Sequence, residues 1–239
     1  MPKANTQPII SEEPASPKRG ELAKEMFKAG VFFGHKKSNR NPKMNKYIYG
    51  LRNNIQIIDL EKTMEGLQTA SEFIAETIKK GGKILFVGIR PQCQKIIEET
   101  AKTCKMPYAS LRWIGGLLTN FKTIRKRIEY FMDLEKKRDA GELKKYTKKE
   151  QKKIDKDIEK LKKNYQGLRD LDKLPDAVFV LGVKGHITPI REAKRKKIPV
   201  ISLVDTDSDP SLIDYVIPSN DEAISALSFM LKKIEEVIV

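Results

Sequence analysis

Four short apolar runs set the first constraint on how this chain folds. Lys83-Ile-Leu-Phe-Val87 follows Gly81-Gly82 and precedes Gly88. Ala177-Val-Phe-Val-Leu181 follows Leu174-Pro175-Asp176, Pro199-Val-Ile-Ser-Leu-Val204 ends at Asp205, and Tyr215-Val-Ile217 ends at Pro218. The runs are rich in β-branched residues and mostly continuous rather than alternating. A strand covered on one face alternates apolar with polar; a strand covered on both faces does not. The runs therefore predict central strands of a parallel sheet.

Helical patterns separate them. Glu61 to Lys80 carries apolar residues at Met64, Leu67, Ala70, Phe73, Ile74 and Ile78. Pro91 to Cys104, Ile190 to Lys197 and Asp221 to Val237 are further helices, with Ser219 and Glu222 at capping-box spacing before the last. Strand and helix alternate, so the fold class is α/β with a doubly wound parallel sheet. Tyr47 to Tyr49 and Ile55 to Ile58, separated by Gly50 to Asn54, predict a small hairpin before the first long helix.

One segment breaks the alternation. Leu117, Phe121, Ile124, Ile128 and Phe131 are spaced four, three, four, three, and so are Ile154, Ile158, Leu161, Tyr165 and Leu168. Ala140-Gly141 interrupts the pattern, and Thr147 with Glu150 forms a capping box for the second run. Two heptad seams joined by a short break predict an antiparallel coiled-coil hairpin. The expected organisation is an N-terminal disordered arm over 1–20, a sheet domain over 21–116 and 171–239, and an inserted helical hairpin over 117–170.

The charge balance limits the partners. The chain has 239 residues and a formal net charge of +15, which favours a polyanion, either nucleic acid or an anionic membrane surface. From Phe121 to Asp170 there are 18 Lys or Arg against 10 Asp or Glu, so about half of the excess lies on the hairpin. Some of these lysines are expected to pair with acids one turn away, as Lys152 with Asp155 and Lys163 with Glu159. No segment is long and apolar enough to span a bilayer. The first twenty residues lack the apolar run of a secretory signal. Two cysteines, Cys93 and Cys104, give neither a disulfide framework nor a Cys-rich zinc site, so a cytoplasmic protein with free thiols is expected.

The densest basic segment runs from Ala29 to Gly50. It holds His35, Lys36, Lys37, Arg40, Asn41, Lys43 and Lys46 among glycines and aromatics, with no Asp or Glu. Cations, amide donors and backbone glycines are the parts of a surface that holds phosphate and sugar. A second dense segment, Arg112-Trp-Ile-Gly-Gly-Leu-Leu-Thr-Asn120, leads into a basic helix and adds Arg112, Lys122 and Arg125. Trp113 packs the hairpin base on the sheet or joins that surface.

Catalytic signatures are missing where they would be needed. The loop Gly88-Ile-Arg-Pro-Gln-Cys93 lacks the glycines of a dinucleotide loop. Gly182-Val-Lys-Gly185-His186 has no Gly-Lys-Ser/Thr ending. There is no Gly-x-Ser-x-Gly elbow to set beside His35 or His186. Asp205-Thr-Asp-Ser-Asp209 places Asp205, Asp207 and Asp209 at alternate positions, a run suited either to a divalent metal or to capping the next turn. No cofactor is expected beyond that optional structural metal. The competing reading is an α/β enzyme that binds a phosphorylated ligand at the carboxyl ends of its strands.

Phe33-Gly-His-Lys-Lys-Ser-Asn-Arg-Asn-Pro-Lys-Met-Asn-Lys-Tyr-Ile-Tyr-Gly50, followed by Asn54-Ile-Gln-Ile-Ile-Asp-Leu-Glu-Lys-Thr63, resembles the signature of bacterial small-ribosomal-subunit protein two. Arg112 to Asn120, Leu174 to Val180, Ile198 to Thr206 and Ile213 to Pro218 resemble the same family in the same order. The likeness covers roughly Glu21 to Ile234. It implies a flavodoxin-like sheet domain with an inserted hairpin and no catalysis. It also implies a structural place in the small subunit on the cytoplasmic ribosome, supporting translation. The implied partners are small-subunit rRNA and neighbouring ribosomal proteins, including the large mRNA-binding protein one. The chain departs from the family pattern at Arg40, usually Trp, at Gly88-Ile-Arg, commonly Gly-Thr-Lys, at Gly182, often Asp, at Asp207, often Asn, and at Ser219, often Gly.

Overall fold

The computed structural model describes residues 17–145 and 147–239. Helix α1 covers Pro17–Ala29. A three-stranded antiparallel sheet follows, from β1 (Phe33–Lys36), β2 (Ile48–Arg52) and β3 (Ile55–Ile58), in the order β1-β3-β2. Then come α2 (Leu60–Lys79), β4 (Ile84–Val87), α3 (Pro91–Thr103), β5 (Tyr108–Ala109), α4 (Phe121–Asp139), α5 (Lys148–Tyr165), β6 (Ala177–Leu181), α6 (Ile187–Arg195), β7 (Val200–Val204), β8 (Tyr215–Pro218) and α7 (Ile224–Ile238). The last five strands form a parallel sheet in the order β5-β4-β6-β7-β8. Counted within that sheet, the order is second, first, third, fourth, fifth, which is the flavodoxin-like arrangement.

The continuous apolar runs have the expected cause. Leu85, Val87, Val178 and Val180 point into one apolar cluster with Ile190, Ala193 and the hairpin residues Ile124, Ile128, Phe131 and Ile158. Ile84, Phe86, Phe179 and Leu181 point into the other, with residues of α1, α2, α3 and α7. Successive side chains thus alternate between two buried faces, and the one polar residue among them, Ser202, bonds the Val180 carbonyl.

The structure departs from the sequence expectations at several points. Pro17 to Gly20 belong to α1, so helix begins inside the span expected to be a disordered arm; the rest of that arm lies outside the described residues. The hairpin turn sits at Asn53-Asn54, both at positive φ, and Gly50 pairs within β2 instead of turning. Neither β1 nor β5 was foreseen. β5 is two residues long, and β1 reads Phe-Gly-His-Lys.

Ser219 and Glu222 form no capping box. The Asn220 side chain accepts from the amides of Glu222 and Ala223, and α7 starts at Ile224. Helix α6 starts at Ile187, about one turn earlier than the pattern gave.

The seam residues behave as their spacing requires. Ile124, Ile128, Phe131, Ile158, Tyr165 and Leu168 are buried, and α4 packs on α5. The capping box at Thr147 and Glu150 is present in both directions. Among the described residues the Lys152–Asp155 and Lys163–Glu159 pairs do not close, and the one-turn pairs on the hairpin are Arg125–Glu129, Lys137–Asp133 and Lys160–Asp157. Arg169 joins the Glu135 carboxylate and lies over the Phe131 ring, tying the end of α5 back to α4.

The seam and one face of the sheet share a single apolar cluster. Ile128→Ala and Ile158→Ala are each expected to cost about 2–5 kcal/mol, as for other buried aliphatic truncations. If residues 117–170 open as their own unit, hydrogen exchange in these variants accelerates in α4 and α5 while the parallel sheet keeps its protection. Uniform acceleration across sheet and hairpin would show one cooperative unit.

Candidate nucleic-acid interface

In open α/β sheets ligands bind outside the carboxyl ends of the strands. Here the chain's own N-terminal segment crosses that edge. The His35 amide donates to Thr206 Oγ1 at 2.9 Å, and the Asn41 amide to the Thr206 carbonyl at 2.9 Å. Gly34 permits the crossing, since a Cβ there would lie 2.6 Å from the Thr206 methyl. The His35 ring then sits between carboxylates. Nδ1 is 3.2 Å from Asp205, and Nε2 is 3.2 Å from Glu222 and 3.6 Å from Asp207.

Contact with Asp205 is the main cause that holds His35 protonated. Burial opposes it, the charges of Asp205, Asp207 and Glu222 add, and the pKa rises to about 9. A folded-state pKa above the free value of 6.5 means the pairing stabilises fully below pH 6.5 and is lost as pH rises through about 9. His35→Gln should therefore lower the melting temperature most in mildly acidic buffer, and the gap to the parent should close by about pH 9–10. A gap that widens with pH would contradict the protonated clamp.

Asp205 and Asp207 both face the His35 ring, whereas Asp209 turns to Lys43, so the three do not close on one point. Asp205 is buried and accepts from the Thr206 amide and hydroxyl. Asp207 takes Lys184 at 2.9 Å and the Ser208 hydroxyl at 3.0 Å. Asp209 accepts from the Ser211 amide, capping the turn Pro210–Leu212, and pairs with Lys43 at 2.8 Å. Lys43, then Ser211, hold the Asp209 carboxyl down at about 2. Among the described residues no group of three or more His, Cys, Asp or Glu side chains is arranged to hold a metal ion.

The two loops tested for phosphate binding are joined to each other. The Ile89 amide donates to His186 Nε2 at 2.9 Å, so Nδ1 carries the proton and donates to the Gly182 carbonyl at 2.8 Å. His186 is fully buried, and burial followed by the Arg90 charge lowers its pKa to about 4. Arg90 reaches across to the carbonyls of Leu181 and Asp221 and to the Asp221 carboxylate at 2.8 Å. Gly182 has φ +86, and a Cβ there would overlap both Arg90 and Asp221. The lack of a side chain at Gly182 thus leaves room for the Arg90–Asp221 ion pair.

The Arg112 to Asn120 loop has an internal purpose as well. Trp113 is 7% exposed, and its Nε1 donates to Glu192 of α6 at 3.0 Å. The same carboxylate accepts from the amides of Gly116, Leu118 and Thr119 and from the Thr119 hydroxyl. Burial raises the Glu192 pKa, but the bonds from Trp113 and the loop amides outweigh it, and the net shift is downward. Glu192→Gln should cost about 1.5–3 kcal/mol, the range for hydrogen bonds to a charged group. Because the folded pKa is depressed, that contribution is present above the ordinary carboxylate range and fades as pH falls through the folded value. Urea unfolding near pH 7 and near pH 3 checks both statements; an equal loss at both would contradict them.

The cations sort by this geometry. Lys43 is committed to Asp209. Arg125 donates to the carbonyls of Arg169 and Leu171 and pairs with Asp172 at 2.8 Å. Asn41 caps the turn Pro42–Tyr47 by accepting from the Lys43 amide. His35 is clamped as described. Lys36, Lys37, Arg40, Lys46, Arg112 and Lys122 are exposed, and none has an ion pair among the described residues. Lys46 stands over the Tyr47 ring, 4.8 Å from its centroid. Met44 joins the apolar cluster that holds Trp113 and Leu118, so both basic segments stand on the same side of the parallel sheet.

A further surface was missed. Phe27, Phe33, Tyr49 and Leu51 are exposed and line a groove of about 790 Å³ with Phe32 and Ile57. Phe27 and Phe32 stack with ring centroids 4.4 Å apart. The available signal was β2, where Tyr49 and Leu51 are apolar at alternate positions facing outward.

The chain is similar to known proteins over most of its length. The profile of the family described as Ribosomal protein S2 matches residues 26–239. The "Small ribosomal subunit protein uS2" of Francisella tularensis subsp. holarctica (strain FTNF002-00 / FTA) is 48% identical over 219 residues, covering 91% of both chains. The protein of the same name from Coprothermobacter proteolyticus is 46% identical over 216 residues, covering 90% of this chain and 81% of that one. The chain belongs to the Ribosomal protein S2 family.

Proposed function

We propose that the chain is a structural constituent of the small ribosomal subunit that holds small-subunit rRNA and catalyses nothing. One observation carries the reading. At the strand ends, where an α/β enzyme would bind a ligand, the charged side chains are spent on one another: His35 with Asp205, Lys184 with Asp207, Arg90 with Asp221. Among the described residues of the two basic segments, the cations without an ion pair, Lys36, Lys37, Arg40, Lys46, Arg112 and Lys122, lie outside, on the segment that crosses that edge and at the base of the hairpin. Exposed Lys and Arg neutralise phosphates and release counterions. They fix position on a nucleic acid without reading its sequence. On this reading the protein works on the cytoplasmic ribosome. No helix among the described residues is long and apolar enough to cross a membrane. Neighbouring small-subunit proteins, among them the large mRNA-binding protein one, are further proposed partners. The apolar groove at Phe27 and Tyr49 is the surface most suited to a protein neighbour.

The test replaces Lys36, Lys37, Arg40 and Lys46 together by Gln. Thermal melting should hardly change, since exposed charges stabilise a fold by little. Co-sedimentation with small subunits should fall steeply, and the log–log salt slope of rRNA binding should flatten by roughly 3–3.5, taking about 0.7–0.9 per phosphate. Lys184→Gln serves as the control and should leave sedimentation unchanged. Normal sedimentation of the four-fold variant, with loss in the Lys184 variant, would move the enzyme reading ahead.

A further inference from the structure

Strand β5 is an edge of the parallel sheet, bonded only to β4. Beside it, where Gly167 after α5 comes against the Tyr108 backbone, lies a pocket of about 320 Å³ lined also by the last turns of α5. Its walls include the backbone from Tyr108 to Arg112 and the α5 residues Glu159, Lys162 and Lys163. Leu111 is 50% exposed and, with Tyr108 and Ala109, supplies the apolar part of the wall. The Tyr108 hydroxyl is held by Glu98 at 3.1 Å, and the Glu98 charge is answered by Lys102 at 2.8 Å. Glu159 is thus the one carboxylate in the pocket without a cation on it, against Arg112, Lys162 and Lys163, none of which has an ion pair among the described residues.

Lysines in the last turn of a helix complement its dipole without any ligand. That accounts for Lys162 and Lys163 but not for Arg112, which comes from a separate loop in front of the hairpin. Three cations from two elements face this apolar wall across a cavity near the small end of the range for ligand sites. Resting on the rRNA-binding reading, we infer that the pocket between β5 and the end of α5 receives one nucleotide of single-stranded RNA, its phosphates on Arg112, Lys162 and Lys163 and its base against Leu111. Lys162 and Lys163 then extend the interface from the hairpin base along the last turn of α5. RNA is favoured over an acidic peptide because the apolar wall suits a base, which a run of carboxylates would leave uncovered.

The test uses the full chain and a fluorescein-labelled single-stranded RNA of eight nucleotides with mixed sequence, read by anisotropy. Lys162→Gln/Lys163→Gln should weaken binding about tenfold at low salt and flatten the log–log salt slope by about 1.4, from roughly 0.7 per phosphate on a single strand. Leu111→Ser should weaken binding severalfold with the slope unchanged, because no charge is removed. Lys152→Gln/Lys156→Gln removes the same charge from exposed positions of α5 outside the pocket and should have a clearly smaller effect.

Equal losses in the two double variants, or no loss with Leu111→Ser, would overturn the pocket. So would a labelled hexaglutamate peptide whose binding is lost in the pocket variants while RNA binding is kept. Co-sedimentation with small subunits is followed in parallel. If the parent co-sediments and binds the RNA but the pocket variants bind equally well, only the pocket assignment falls. If the parent does neither, the rRNA-binding reading falls with it.

Discussion

The placement of the basic segment depends on one crossing, where β1 and the turn after it lie over the carboxyl end of β7. Two backbone amides fasten the segment to Thr206, and the His35 ring closes the gap between Asp205, Asp207 and Glu222. A protonated ring among three carboxylates is a local cancellation, and it holds only while the ring stays charged. The crossing covers the carboxyl end of β7, while the crevice between β4 and β6, where proteins of this architecture usually hold a ligand, is filled by His186 and Arg90. The crossing also carries Lys36, Lys37, Arg40 and Lys46 to the outside.

The same separation recurs at the base of the hairpin. Glu192 gathers Trp113 and the loop amides after it, fixing the entry into α4. Arg125 is drawn inward to the backbone at Arg169 and Leu171. Arg112 and Lys122, on either side, stay in solvent. A dense motif of conformationally special residues thus serves two ends: most of it builds the junction, and a minority of its cations faces outward.

The sheet was legible because burial on both faces leaves continuous apolar runs, and the hairpin because its seam repeats over two long segments. β5 was not legible, being two residues fixed by its neighbours rather than by a pattern of its own. The capping box at Thr147 and Glu150 was read correctly from its spacing, whereas the same spacing at Ser219 and Glu222 failed because Asn220 takes the two amides instead. Within the basic segment the sequence marks where cations concentrate but not which are free. The partners of Lys43, Lys184 and His35 lie far along the chain, and only the closed sheet brings them near. The link between Gly182 and Arg90 was hidden for the same reason: only the fold sets the bare Gly182 Cα beside the Arg90–Asp221 pair.

Ultraviolet crosslinking of assembled small subunits, with the crosslinked peptides mapped by mass spectrometry, bears most directly on the division between sealed strand ends and outward cations. The account predicts RNA adducts on peptides spanning residues 36–46 and 112–122, and none on the loops 88–90 and 182–186. Adducts concentrated on those two loops, with the basic segment silent, would contradict it.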